Sequence, residues 1–433
     1  MQISMIGIDH SKAPLKYRER FSCTRKMAQR AAISIKEGYN LEGCVLISTC
    51  NRTELWIAED ERKYKHLMKP SEMLEEIFCS LRGVKKEEYS PYFAIRHGES
   101  AVEHILQVAC GLNSKLFGED QIISQVKDAL NLGREAKTMG VELDRLFQIA
   151  VAAGKDVKTR LSLKIVRPSS ATSIISKLRE DGVELAGLKC LVIGNGKMGK
   201  LVANALVNVG ADVSMTLRRK MHKDDEQSSI MPVGCKMLPY DERMAQVPQN
   251  QVVVSATISP HYTITQKQFL ENNRINFANF KENRIGEKSQ YFFDLAVPRD
   301  IDAAIGYEDG VVLYDIDSMG STAGEAENSG VLLEAKKIIE NYVTEFIEWM
   351  EFRDNLPQIK EVIELFEEDF RERLNFIGKT EKLEEEKIKS VLNAGSKVIT
   401  KLVFETLKEL DEKNRDASLE ALKKSGMRKS LRH

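Results

Sequence analysis

Leu188-Lys189-Cys190-Leu191-Val192-Ile193-Gly194-Asn195-Gly196-Lys197-Met198-Gly199 is an apolar run that passes directly into a glycine-rich turn. Leu188 to Ile193 reads as a buried strand and Lys200 to Val209 as a helix, so strand, turn and helix follow in the order of a dinucleotide-binding unit. The spacing has a physical reason. Gly194 permits a tight turn, Gly196 lets backbone approach a pyrophosphate, Gly199 lets helix and strand pack closely, and the helix N-terminus offers an anion site. Gly194, Asn195, Gly196, Lys197, Met198 and Gly199 are therefore the expected cofactor-binding turn. A merely structural glycine turn is the alternative, and Gly210-Ala211-Asp212-Val213 argues against it by leading into a second strand where the unit needs one.

Downstream, that second strand ends in Leu217-Arg218-Arg219-Lys220 rather than in the acidic residue that NAD-binding sites offer to a ribose. The basic run favours NADP, with Arg218 and Arg219 at the 2′-phosphate; a solvated charge run is the other reading. Further strands are expected at Gln251 to Val254, Tyr291 to Ala296 and Val311 to Tyr314. From Gly330 onward Val331, Leu332, Ala335, Ile338, Ile339, Tyr342, Phe346 and Trp349 recur at helical spacing, and the pattern returns around Ile359 to Phe366 and Ile388 to Leu407, with Pro357 between. Helices with one apolar stripe and no enclosing sheet suit dimerisation; an intramolecular bundle is the alternative. The tail after Ser425 is expected to fray.

Upstream lies a smaller α+β pattern: an apolar run Ile3 to Ile8, a helix from about Lys26 to Glu37, and the run Cys44 to Ile47 entering Ser48-Thr49-Cys50-Asn51-Arg52-Thr53-Glu54. Glu54 to Ala58 reads as a hairpin partner, which puts Cys50 at the turn. A thiolate there is a candidate nucleophile, with Arg52 placed to lower its pKa or to hold an acidic substrate; a small, inert core cysteine is the competing reading. Helices follow near Val102 to Ala109 and Glu119 to Lys137. His104 lies on or beside the apolar face of the first, either catalytic or simply a satisfied core histidine. Arg167-Pro168-Ser169-Ser170 interrupts the helical run and can cap a new helix.

Composition sets the frame. The 433 residues are 42% hydrophobic and 30% charged, enough for roughly three domains. With 64 Lys and Arg against 65 Asp and Glu, any nucleic acid must meet a local patch rather than a basic protein. Seven scattered cysteines without a CxxC pair point to reduced thiols, and the seven histidines show no metal-ligand spacing, so no metal is expected. No signal peptide or membrane span is evident, and a cytoplasmic protein without membrane association is expected. The expected architecture is α/β multidomain: an N-terminal α+β catalytic and substrate domain (1–160), a central Rossmann-type NADP-binding domain (161–318), and a C-terminal all-helical dimerisation domain with a long connecting helix (319–433).

Four separated motifs occur together: Gly7-Ile8-Asp9-His10-Ser11-Lys12-Ala13-Pro14, the Ser48 to Glu54 heptad, Gly111-Leu112-Asn113-Ser114 with Gly118-Glu119-Asp120-Gln121-Ile122, and Gly194 to Gly199. Their order over essentially the whole chain strongly resembles the glutamyl-tRNA reductase family. The resemblance implies NADPH-dependent reduction of the activated α-carboxyl of glutamyl-tRNA(Glu) to glutamate-1-semialdehyde, the first step of the C5 route to 5-aminolevulinate and tetrapyrroles. Cys50 would form a thioester, and His104 would orient the ester or act as acid/base. Arg52 would read the side-chain carboxylate, with Thr49, Asn51, Ser114, Glu119, Asp120, Gln121 and Gln125 as further substrate contacts; Glu119 suits the substrate ammonium.

The sequence also departs from the family pattern. Leu217-Arg218-Arg219 stands where Asn-Arg-Thr is usual, Asp120 where proline is common, and Lys401-Leu402 lacks the usual following His and Pro. Arg160, Lys164 and Arg167 are candidate tRNA contacts. A homodimer and hand-over of the aldehyde to glutamate-1-semialdehyde aminomutase also follow from the resemblance as expectations. Two rival readings remain at this level, a generic NADP-dependent semialdehyde dehydrogenase and a non-catalytic dimeric RNA-binding redox sensor. The first usually places its nucleotide domain before its nucleophile.

Overall fold

Apolar, β-rich runs at the N-terminus pair into an antiparallel sheet of order β2-β3-β1-β4, formed by β1 (Gln2–Asp9), β2 (Gly43–Ser48), β3 (Arg52–Glu59) and β4 (Phe93–His97). In the computed structural model the described residues are 1–60, 69–113, 121–161, 170–217, 232–273, 289–319 and 329–430. β3 is buried along its whole length, so helices must cover both sheet faces. The Arg25–Gly38 and Pro70–Ser80 helices pack with Phe21, Phe78 and Phe93 on one side. On the other side Phe147, from the Gly140–Leu161 helix, meets Trp56 edge-on at 5.9 Å. The register sets Gly7 opposite Glu54 and Asp9 opposite Arg52. A Cβ at Gly7 would lie 2.8 Å from the Glu54 side chain, so the glycine makes room for that carboxylate.

The central region forms a six-stranded, wholly parallel sheet of order β10-β9-β8-β5-β6-β7. Its strands are β5 (Lys189–Ile193), β6 (Asp212–Leu217), β7 (Lys236–Pro239), β8 (Val252–Ser255), β9 (Gln290–Asp294) and β10 (Val311–Asp315). This is the doubly wound order, with its switch point between β5 and β8, where such sheets bind ligands beyond their strand C-termini. The strands are near-continuous apolar runs because helices cover both faces: Ile174, Leu178, Val202 and Leu206 pack on one side, and Phe269, Ile301 and Ile305 on the other. β4 and β7 are the two strands the sequence reading lacks. Both are short: β4 is buried only at Phe93 and Ala94, and no residue of β7 is fully buried.

Contacts divide the chain into a unit spanning Gln2–Glu340, which holds both sheets, and a second spanning Asn341–His433 with Met1. The division falls inside the 26-residue helix Ser329–Asp354. In the second unit, helices Leu356–Thr380, Glu385–Lys408 and Glu412–Ser430 share a small core of Ile359, Val362, Leu407 and Leu419. Pro357 occupies the first turn of its helix, where the missing N–H costs nothing. The Glu412–Ser430 helix extends past Ser425, where the tail is expected to fray. Among the described residues no helix is long and apolar enough to cross a membrane.

Candidate active site

The β2–β3 ladder ends at the pair Ser48 and Thr53, leaving Thr49, Cys50 and Asn51 with Arg52 as the turn. Thr49 closes it from both sides. Its backbone N–H donates to Arg52 O at 2.8 Å, and its hydroxyl accepts the N–H groups of Asn51 and Arg52, each at 3.2 Å. From outside, His10 N donates to Asn51 O at 3.0 Å and Arg18 Nη1 to Cys50 O at 2.7 Å. Cys23 N donates to Ser48 Oγ at 2.9 Å. The half-buried Cys50 therefore sits on a turn held from outside at three points, by His10, Arg18 and Cys23. Asn51 Oδ1 is buried and has no hydrogen-bond partner among the described residues.

Alternate residues of a strand share a face, so Arg52, Glu54 and Trp56 point together toward the helix Glu99–Ala109. Glu54 is the hub. Its Oε1 accepts from Arg52 Nη1 at 2.8 Å and lies 2.8 Å from His104 Nε2, while its Oε2 accepts from Trp56 Nε1 at 3.1 Å. Arg52, Glu54 and His104 are 2%, 1% and 4% exposed. Burial pushes the Glu54 carboxyl up, but His104 and Arg52 outweigh it and hold the pKa at about 2. Arg52 Nη2 also donates to Asn113 O, and the Asn113 amide lies 3.4 Å from His104 Nδ1. The indole of Trp56 stacks at 6.1 Å on the imidazole. One bonded network thus joins His104 to Arg52, two residues beyond Cys50.

Cys50, Arg52 and His104 are expected from the sequence, whereas the role of Glu54 is not. The available signal was period two: a carboxylate two residues from an arginine on a strand lies on the same face and can pair with it. The Thr49 hydroxyl, expected at the substrate, shapes the turn. Gln125 is half-buried on the helix Gln121–Glu135. Ser114, Glu119, Asp120, Lys164, Arg167, Arg218 and Arg219 lie outside the described residues, as does the side chain of Gln121. Arg160 is exposed and pairs with Asp156 at 2.6 Å.

At the parallel sheet, Gly194 has φ +107°, and a Cβ there would lie 2.6 Å from Ala256 O, across the switch point. A Cβ on the buried Gly199 would lie 2.0 Å from Gly194 O. Gly196 has open space and caps the helix Lys197–Asn208, leaving first-turn N–H groups for an anion. Asn195 is half-buried and Lys197 exposed, while Met198 packs against the core. The turn therefore fits a dinucleotide pyrophosphate. Its far wall is held by Asp300, whose carboxylate accepts from Ser255 Oγ at 2.7 Å, Thr257 N at 2.8 Å and Thr257 Oγ1 at 2.7 Å. Asp294, at the end of β9, accepts from the N–H groups of Ala296, Asp300 and Ile301; burial pushes its pKa up to about 7, with the Asp300 carboxylate adding to the rise. Among the described residues no three His, Cys, Asp or Glu side chains converge as metal ligands.

Two family models match separate parts of the chain. Residues 6–161 match the family model described as glutamyl-tRNAGlu reductase, N-terminal domain, and residues 176–322 that of shikimate/quinate 5-dehydrogenase, a nicotinamide-dependent dehydrogenase type. Glutamyl-tRNA reductase from Acetivibrio thermocellus is 37% identical over 82% of this chain and 99% of its own length. That from Alkaliphilus oremlandii is 34% identical, again over 82% and 99%. A solved structure of glutamyl-tRNA reductase from Methanopyrus kandleri aligns over 98% of each chain at 22% identity, with a TM-score of 0.46. The chain belongs to the glutamyl-tRNA reductase family.

Proposed function

We propose that this chain reduces glutamyl-tRNA(Glu) with NADPH, releasing tRNA and glutamate-1-semialdehyde as the first step toward tetrapyrroles. The observation that carries the reading is a half-buried Cys50 at a turn fixed by Thr49, His10 and Arg18, next to the buried Arg52–Glu54–His104 network. Cys50 thiolate attacks the ester carbonyl carbon; the C–S bond forms, the C–O bond to the terminal ribose breaks, and the tRNA hydroxyl leaves with a proton. His104 orients the ester or supplies that proton, and Glu54 fixes the imidazole in either role. The orphaned Asn51 Oδ1 suits an N–H of the substrate ammonium. Arg52 reads the glutamyl carboxylate through the N–H donors that Glu54 and Asn113 leave.

The Gly194 to Gly199 turn would hold the pyrophosphate of NADPH and Arg218 with Arg219 its 2′-phosphate. When bound, NADPH supplies the hydride that turns the thioester into the aldehyde. Substrate chemistry belongs to residues 1–160, cofactor binding to 161–318 and self-association to 319–433. Exposed Val391, Val398 and Leu402 form a stripe at helical spacing on Glu385–Lys408, which supports a homodimer through these helices. Family membership favours this reading over a semialdehyde dehydrogenase or a non-catalytic RNA-binding sensor.

Incubation with glutamyl-tRNA in the absence of NADPH is expected to leave a glutamyl adduct on Cys50, detected by peptide mass. Cys50→Ala is expected to lose both adduct and semialdehyde formation by at least roughly a thousandfold. Undiminished turnover by that variant overturns the mechanism.

A further inference from the structure

The segment Arg18 to Ser22 touches both the Cys50 turn and the loops at the C-terminal edge of the parallel sheet. Arg18 is 2% exposed, and its three nitrogens reach three different places. Nε donates to Ala13 O at 3.0 Å, Nη1 to Cys50 O at 2.7 Å, and Nη2 to Asp317 Oδ1, just beyond β10, at 2.5 Å. A few residues on, Ser22 Oγ donates to Val297 O at 3.0 Å. Val297 and Arg299 lie in the loop after β9, and Arg299 Nη2 lies 3.4 Å from Asp315 Oδ2.

That loop continues toward the cofactor edge. Asp300 follows Arg299 and binds Ser255 and Thr257, which flank Ala256, whose carbonyl faces Gly194. Bonds therefore run from the Cys50 carbonyl through Arg18 to Asp317 beyond β10, and from Ser22 through the β9 loop and Asp300 to Ala256, whose N–H donates to Ile193 O at 2.9 Å just before the glycine turn. A guanidinium suits the junction because its planar fork can serve three acceptors in fixed directions, and a buried cation needs the anion that Asp317 provides.

We propose that Arg18 is a positioning residue that sets the Cys50 turn against the nucleotide-binding sheet, with Asp317 as its counter-ion, so that reduction of the acyl group on Cys50 depends on this pair while acylation does not. This rests on the thioester reading above. The thioester has two fates. Hydride adds to its carbonyl, the C–S bond breaks and Cys50 leaves as thiolate from the aldehyde, or water adds, the same bond breaks and free glutamate leaves. Correct placement of Cys50 favours the first.

The test uses the full-length protein with Asp317→Ala and Asp317→Asn, because Asp317 is the more exposed partner and Arg18 variants risk misfolding. With glutamyl-tRNA and NADPH present, tRNA release by Asp317→Ala is expected to stay within about twofold of the parent, while the ratio of semialdehyde to glutamate falls by roughly tenfold or more. Asp317→Asn, which keeps an acceptor oxygen, is expected to recover part of that ratio. An unchanged ratio overturns the proposal, as does a parallel fall in tRNA release and reduction.

Hydrogen exchange provides an arm independent of the chemistry. In Asp317→Ala the amides of Cys50, Asn51, Val297 and Arg299 are expected to exchange about tenfold faster than in the parent, with β1 and β5 unaffected. Unchanged exchange overturns the link by itself, whereas absence of a glutamyl adduct on Cys50 in the parent protein overturns the thioester reading instead.

Discussion

Two carboxylates, Glu54 on β3 and Asp294 at the end of β9, are each 1% exposed, and they titrate at opposite ends of the acidic range. Burial pushes both upward. Around Glu54 the contacts with His104 and Arg52 outweigh burial and hold the pKa at about 2. Asp294 has three backbone N–H groups and a second carboxylate, Asp300, and rises to about 7. A guanidinium and an imidazole in direct contact reverse a desolvation penalty that peptide dipoles only reduce. The contrast extends to the two sites. The cysteine turn is framed by paired side-chain charges, whereas the nucleotide turn is framed by backbone approaching backbone with carboxylates as hydrogen-bond acceptors.

Glu54→Gln has the largest expected effect. It leaves Arg52 and His104 without their buried anion and is expected to cost about 3–5 kcal/mol in denaturant unfolding. A cost close to zero removes the charge-framed half of the comparison. Next comes Gly199→Ala, whose methyl meets the Gly194 carbonyl. It is expected to cost about 1–3 kcal/mol and to raise the KM for NADPH well above that for glutamyl-tRNA. Equal change in the two KM values contradicts a backbone-framed nucleotide turn.

The pH dependence separates the two carboxylates further. The folded pKa of Glu54 is depressed, so its stabilisation is present above the unfolded value of about 4.3 and is lost as pH falls toward 2. The folded pKa of Asp294 is raised, so its contribution is present below about 3.9 and is lost as pH rises through about 7. Unfolding of Glu54→Gln should therefore lose acid sensitivity between about 4 and 2, and that of Asp294→Asn should lose the decline between about 4 and 7. A decline that persists in Asp294→Asn assigns it to another group. The smallest change is Trp56→Phe, which removes one indole donor from Glu54 and is expected to cost about 1 kcal/mol, with a slight rise in the midpoint of acid unfolding.

The nucleotide fold was legible because its framing is backbone, and backbone requirements appear in sequence as glycines at fixed spacing after an apolar run. Cys50, Arg52 and His104 were legible as residue types in a pattern. Glu54 stood in the same heptad and passed unassigned, because its role depends on the partner that an antiparallel strand and a facing helix bring to it. Arg18 and Asp317 were less accessible still. They are 299 positions apart, and no local pattern in either segment points to the other.

The glycine opposite Glu54 places a condition on how this site can change. A methyl at position 7 would lie 2.8 Å from the Glu54 side chain and 3.2 Å from Thr53 O, so two positions on neighbouring strands share one volume. Substitution at either is read through the other: a larger residue at 7 presses on Cγ of the side chain at 54, and a side chain at 54 without a Cγ relieves that contact. In redesign or drift these two positions therefore move as a pair, and the N-terminal motif that carries Gly7 is bound to the chemistry of a strand nearly fifty residues away.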